Sequence, residues 1–167
     1  LRDVSNLAWK LEAVLRGRAS EAMLDTYESE RSPHVHAFIE LAVRLGDIIQ
    51  ATDPDKARER DAKFKAGAPE IFEFPSPRLG PGILHGDTAP VGQHFPQPVL
   101  GDGQLLDAHI GNRFAVIGQP AVVHGVSDAT RKLWQQNDVA VMATGEPALL
   151  EWLQRHDAGA IMLRPDR

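Results

Sequence analysis

Three groups of residues in this 167-residue chain have types and spacings that could do chemistry. Gly80, Gly82 and Gly86 lie close enough to suggest a phosphate-cradling loop. Their spacing is G-x-G-x-x-x-G, prolines interrupt it, and neither a strand nor a helix signal flanks it, so the context a dinucleotide fingerprint needs is missing and a Pro/Gly connector is the better reading. Seven histidines invite a metal hypothesis. His34 and His36 are two apart, which on a helix sends them to different faces, and the others are scattered, so surface or capping histidines are expected and no metal site. Asp25, Glu28, Glu30 and Arg31 could form an acid/base cluster. At i, i+3 spacing, Asp25–Glu28 and Glu28–Arg31 read as solvated helix-face charges. No Ser/His/Asp order stands out, and zero cysteine excludes thiolate nucleophiles, disulfides and Cys-x-x-Cys redox chemistry in these residues. The residues alone therefore name no catalytic group.

The elements that would position any chemistry are easier to read. From Leu1 to Arg16, Val4, Leu7, Ala8, Leu11, Val14 and Leu15 recur at helical spacing as the apolar stripe of an amphipathic helix, with Asp3 in its first turn and Gly17 as its stop. The chain starts directly on this helix, which suggests the remainder of a longer protein. If so, Val4, Leu7 and Leu11 lack much of their covering, and the helix is expected to dock on a neighbouring chain or to be poorly ordered. Ser20 is the expected N-cap of a second helix through Met23 and Tyr27, which either ends near Arg31–Ser32 or continues with a kink through Pro33. Val35, Phe38, Ile39, Ala42 and Leu45 form the next stripe. Asp53 and Pro54 then open a charged surface helix that runs to about Ala66.

Seven of the twelve prolines fall between residues 67 and 98, which predicts an extended connector. Its apolar residues, Ile71, Phe72, Phe74, Leu79, Ile83, Leu84 and Phe95, must dock on something. Beyond it the pattern becomes α/β. Val99–Leu100, Gly101–Asp102–Gly103 and Leu105–Leu106 suggest a hairpin-like entry. Strand signals at 114–117, 139–142 and 160–163 alternate with helix signals opened by Ser127 and Pro147, which predicts a largely parallel sheet. Trp9, Trp134 and Trp152 are expected as packing residues.

The composition, 43% hydrophobic and 25% charged, is that of an ordinary globular protein. No apolar run approaches the roughly 18 residues of a membrane span, so no membrane partner is expected. A net charge of -5 without a basic block argues against nucleic acid. With no secretory signal in these residues, the cytoplasm is the default location.

One stretch carries more than its periodicity. Arg2-Asp3-Val4-Ser5-Asn6-Leu7-Ala8-Trp9-Lys10-Leu11, then Leu15-Arg16-Gly17, then Leu24-Asp25-Thr26-Tyr27-Glu28-Ser29-Glu30-Arg31-Ser32-Pro33, resembles the class A FAD-dependent aromatic hydroxylases. His34–Val35 and the run from Ile39 to Ile49 draw the likeness toward the 3-(3-hydroxyphenyl)propionate hydroxylase type. The resemblance implies that the chain is the C-terminal portion of a flavoprotein monooxygenase that uses NAD(P)H and oxygen to hydroxylate a phenolic ring. It places the flavin just before Leu1, with Leu1 and Asp3 as the flavin-adjacent residues, and assigns no catalytic residue here. It also implies an α/β fold in three parts: a helical tail of the flavin and substrate domain over 1–66, a connector over 67–98, and an incomplete thioredoxin-like domain over 99–167. Without cysteines, that last part is expected to be a scaffold or a homodimer contact. The rival readings are a non-catalytic thioredoxin-like interaction module and a same-family hydroxylase of polyketides or other large aromatics.

Overall fold

The computed structural model describes residues 1–67 and 77–167; the predicted docking residues Ile71, Phe72 and Phe74 lie outside them. The chain packs as two compact units, one of Leu1–Leu24, Asp87–Pro90 and His94–Arg167, the other of Asp25–Gly86 and Val91–Gln93.

In the first unit, α1 (Arg2–Leu15) ends as its glycine predicts. Gly17 takes a φ of +67° and the Arg18 N–H reaches back to the Ala13 carbonyl at 2.8 Å. The helix buries Asn6, Trp9 and Lys10 within this unit, while Val4, Leu11 and Leu15 on the predicted stripe are exposed. At 3.6 residues per turn those two sets fall on roughly opposite sides. The helix expected from Ser20 is only a 3-10 turn, Glu21–Met23; the Ser20 side chain makes no cap bond there.

The α/β part begins with a tight reversal. Val99 bridges Leu105, Gly103 adopts a φ of +80°, and the Gln104 N–H donates to the Asp102 carboxylate, holding it below the usual carboxylate range. There follow α4 (Leu106–Ile110), β1 (Ala115–Gly118), α5 (Pro120–His124), α6 (Asp128–Gln136), β2 (Ala140–Ala143), α7 (Pro147–Arg155) and β3 (Ala160–Leu163). Ser127 caps α6 by accepting the Thr130 N–H at 3.1 Å. The sheet order is β2-β1-β3. β1 and β2 are parallel, but β3 runs antiparallel to β1, which corrects the expectation of a largely parallel sheet. Two features fix this direction. The Gln119 N–H bonds the Gly159 carbonyl at 2.9 Å, so β3 enters beside the exit of β1. Gly118 has no Cβ, and one built there would lie 2.4 Å from the Ala160 Cβ. One sheet face carries Ala115, Ile117, Ala140 and Leu163 into a core with Phe95, Leu100, Leu106, Ile110 and Leu149. Trp152 closes it, edge-on to Phe95 at 4.8 Å.

In the second unit, α2 (Thr26–Ile49) runs unbroken through Pro33 for 24 residues. Proline has no N–H for the Ser29 carbonyl four residues back. The connector occupies this weak point. The Gly80 N–H donates to the Glu30 carbonyl at 2.9 Å, the Ser29 hydroxyl donates to the Pro81 carbonyl at 2.7 Å, and the Ile83 N–H donates to Glu30 Oε1 at 2.7 Å. Gly80 and Gly82 are thus close-approach residues, since a Cβ on either would fall within 2.2 Å of Ser29 or Glu30. Arg31 is buried, not solvated as its spacing from Glu28 suggested, and Glu30 is buried where the connector covers it. α3 (Pro54–Lys65) forms where Asp53 and Pro54 place it, with Asp53 accepting from the Asp55 and Lys56 N–H groups. No helix among the described residues is long and apolar enough to cross a membrane.

Leu106, with no exposed surface, should cost about 2–5 kcal/mol when cut to alanine. Gly118→Ala should cost about 1–3 kcal/mol by overpacking against β3. Leu133→Ala, on the exposed side of α6, should stay within about 0.5 kcal/mol; urea denaturation checks all three.

Candidate functional site

The flavin-type motif lies on α1, and the structure shows which of its letters touch anything. Leu1 is fully exposed and caps the helix without a side-chain bond; Asp3 is half-buried in the first turn. The first carbonyl engaged is that of Leu1, which accepts from the Ser5 N–H at 2.9 Å. The N–H groups of Arg2, Asp3 and Val4 therefore have no acceptor within the helix. The positive end of a helix dipole suits an anionic or carbonyl oxygen.

The middle of the motif faces inward. Trp9 meets Phe114 edge-on at 5.4 Å and 87°, and the Arg164 guanidinium carbon lies 5.3 Å from the Trp9 ring centre. One turn earlier, Asn6 Nδ2 donates to Asp166 Oδ2 at 2.7 Å. Arg164 grips the same carboxylate in bidentate fashion, Nε to Oδ1 at 2.9 Å and Nη2 to Oδ2 at 2.6 Å, with the two side chains only 11% and 6% exposed. Arg167 bonds Asp107 at 2.7 Å and also reaches the Gly111 carbonyl. Beside this junction is a cleft of about 610 Å³ whose walls include Val4, Ala8, Trp9, Met23, Phe114 and Pro165.

The other sequence candidates are not brought to this cleft. Glu30 and Arg31 serve the second unit, and His36 pairs with Glu40 on the α2 surface. Among the described residues no group of three or more His, Asp or Glu gathers where it could hold a metal. Asn6, Lys10, Arg164 and Asp166 were not singled out by periodicity; the signal was there in polar residues spaced i, i+4 around Trp9. Burial first, then the Arg2 cation, hold the His94 imidazole below the ordinary value of 6.5, with Asp107 opposing them.

A model of the FAD binding domain matches residues 1–42. The whole chain aligns, at 32% identity over 206 positions, with the 3-(3-hydroxy-phenyl)propionate/3-hydroxycinnamic acid hydroxylases of Escherichia coli strains K12 / DH10B and SMS-3-5. It spans 37% of the length of those relatives. Over its first 42 residues the chain thus matches the FAD binding domain, and along its whole length it is similar to part of these aromatic hydroxylases. Solved structures agree in fold. The RebC structure soaked with chromopyrrolic acid and holding 7-carboxy-K252c superposes with a TM-score of 0.72 at 20% identity, covering 99% of this chain and 36% of that one. The flavin-dependent monooxygenase PieE, in complex with FAD and substrate, gives 0.61 at 24%, covering 99% and 39%.

Two measurements probe this region. Removing one partner of the buried pair, Asp166→Ala, should destabilise by about 3–5 kcal/mol, whereas Glu151→Ala, which breaks an exposed pair with Arg155, should cost about 0–1 kcal/mol. A folded-state pKa below the unfolded one means that the His94 contribution to stability is intact above the ordinary histidine value and is lost as the pH falls through the folded value. An NMR titration should place the His94 midpoint below 6.5, and Asp107→Asn should lower it further.

Proposed function

We propose that this chain is the C-terminal part of a flavin-dependent monooxygenase that hydroxylates a phenolic carboxylic acid with NAD(P)H and oxygen. The alignment of the whole chain with phenylpropionate hydroxylases carries this reading. The structures of PieE and of aklavinone-11 hydroxylase with aklavinone are less than 25% identical and speak for fold only, so the phenolic acid is preferred to a polyketide.

The residues present fit one wall of a flavin site. The uncapped first turn of α1, from Leu1 to Asp3, would face the cofactor with N–H groups and the positive helix end, and the buried Asn6–Trp9 face would hold that turn in place. FAD, when bound, supplies the redox and oxygen chemistry; these residues bind and orient. In this reading residues 1–66 are the helical tail of the flavin and substrate body, 67–98 the connector and 99–167 an appended thioredoxin-like fold. The order β2-β1-β3, with the first two strands parallel, the third antiparallel and helices between, supports that assignment, and the lack of cysteine leaves the appendage without thiol chemistry. A cytoplasmic location and a homodimer belong to the same reading.

The intact protein that carries this chain should purify yellow, with flavin absorption bands. It should oxidise NAD(P)H faster in the presence of 3-(3-hydroxyphenyl)propionate and yield a product heavier by one oxygen. A colourless protein that takes up no FAD, or one that consumes NAD(P)H without oxygenating any phenolic acid, would refute the assignment.

A further inference from the structure

We propose that Asp166, held by Arg164, is a positioning residue for the FAD-facing helix. Its carboxylate fixes α1, and through α1 it sets the affinity and the electronic environment of the flavin. This rests on the FAD reading above.

The match to the FAD binding domain ends at residue 42, yet the face that α1 buries is turned toward residues far outside that match. Asn6 meets Asp166, and Trp9 meets Phe114 and Arg164. The segment Arg164–Arg167 is itself bolted to the sheet-bearing part. Arg164 continues directly from β3, and Arg167 bonds Asp107 of α4, the Arg164 carbonyl at 3.0 Å and the Gly111 carbonyl. Asp166 joins the two sides, with one oxygen shared between Asn6 and Arg164. A directional bond to Asn6 combined with an edge-on aromatic contact at Trp9 defines both the rotation and the axial position of α1. The first-turn N–H groups can therefore be aimed from the appended part, and an effect of this kind is lost when the supporting shell is loosened.

The test uses the intact flavoprotein. Apoprotein is titrated with FAD by flavin fluorescence, and the midpoint potential of the bound flavin is measured for wild type, Asn6→Ala, Asp166→Asn and the double variant. Each single variant should raise the FAD Kd about tenfold and displace the midpoint potential, and the double variant should be no worse than the weaker single one, because both remove the same link. Leu153→Ala, which truncates a buried side chain of α7 that makes none of these junction contacts, should change neither quantity; equal losses in Leu153→Ala would reduce Asp166 to a folding residue and overturn the proposal. Asn6→Ala leaves the Arg164–Asp166 pair intact and carries the test if Asp166→Asn fails to fold. An unchanged Kd and potential in folded Asn6→Ala also overturn it. A wild-type protein that binds no FAD refutes the flavin reading itself, which is a different result from wild-type binding that the variants leave untouched.

Discussion

A carboxylate taken out of water has to be answered on every side, and Asp166 is answered by an arginine fork and an asparagine amide. Once formed, that arrangement leaves little freedom to the elements that supply it. Arg164 is delivered by β3, whose direction is fixed by the close approach at Gly118. Asn6 is delivered by α1, and the same turn of helix brings Trp9 onto Phe114 at the entrance to β1. The antiparallel third strand is thus part of how the helix is held: a parallel β3 would carry Arg164 to the opposite end of the sheet from Phe114, and the clamp could not form.

The second unit solves a different problem by similar means. Pro33 within α2 frees a backbone carbonyl, and a helix interrupted in this way is commonly kinked or ended. Here the connector packs against that turn, its Gly80 N–H donating to the neighbouring Glu30 carbonyl, and the absence of side chains at Gly80 and Gly82 lets it come close enough to do so. Glu30 completes the contact by accepting from Ile83, which explains why a glutamate in a charged run is buried. Proline-rich composition and a proline inside a helix, two features that each weaken regular structure, are matched to one another.

Much of this fold was legible in the sequence. The helix starts at Asp53–Pro54, Ser127 and Pro147 were set by local capping and fixed φ, and they lie where those residues put them. The three strands were legible as short apolar runs, to within a residue or so at their ends. Strand direction was not, because an apolar run reads the same both ways and the determinant was a contact between Gly118 and Ala160. The five-residue helices α4 and α5 were missed for a related reason: each is too short for a 3.6-residue period to show. The burial of Glu30 was invisible because its partner lies 53 residues away.

The site shows a further limit of periodicity. The stripe of Val4, Ala8, Leu11 and Leu15 marks the side of α1 that gains most by leaving water, and in this structure it is the exposed side. The side that is buried carries Asn6, Trp9 and Lys10, which are three letters of the flavin-type motif. Apolar burial is non-directional and tolerates many sequences, whereas a hydrogen bond to one carboxylate and an edge-on aromatic contact at one distance tolerate few. Hydrophobic pattern therefore located the helix, and the motif located its orientation. The two faces are not in conflict, since a helix that presents an apolar stripe on one side and a bolted polar face on the other is suited to sit between two bodies. The bolted face is the one that fixes where the first turn of α1 points.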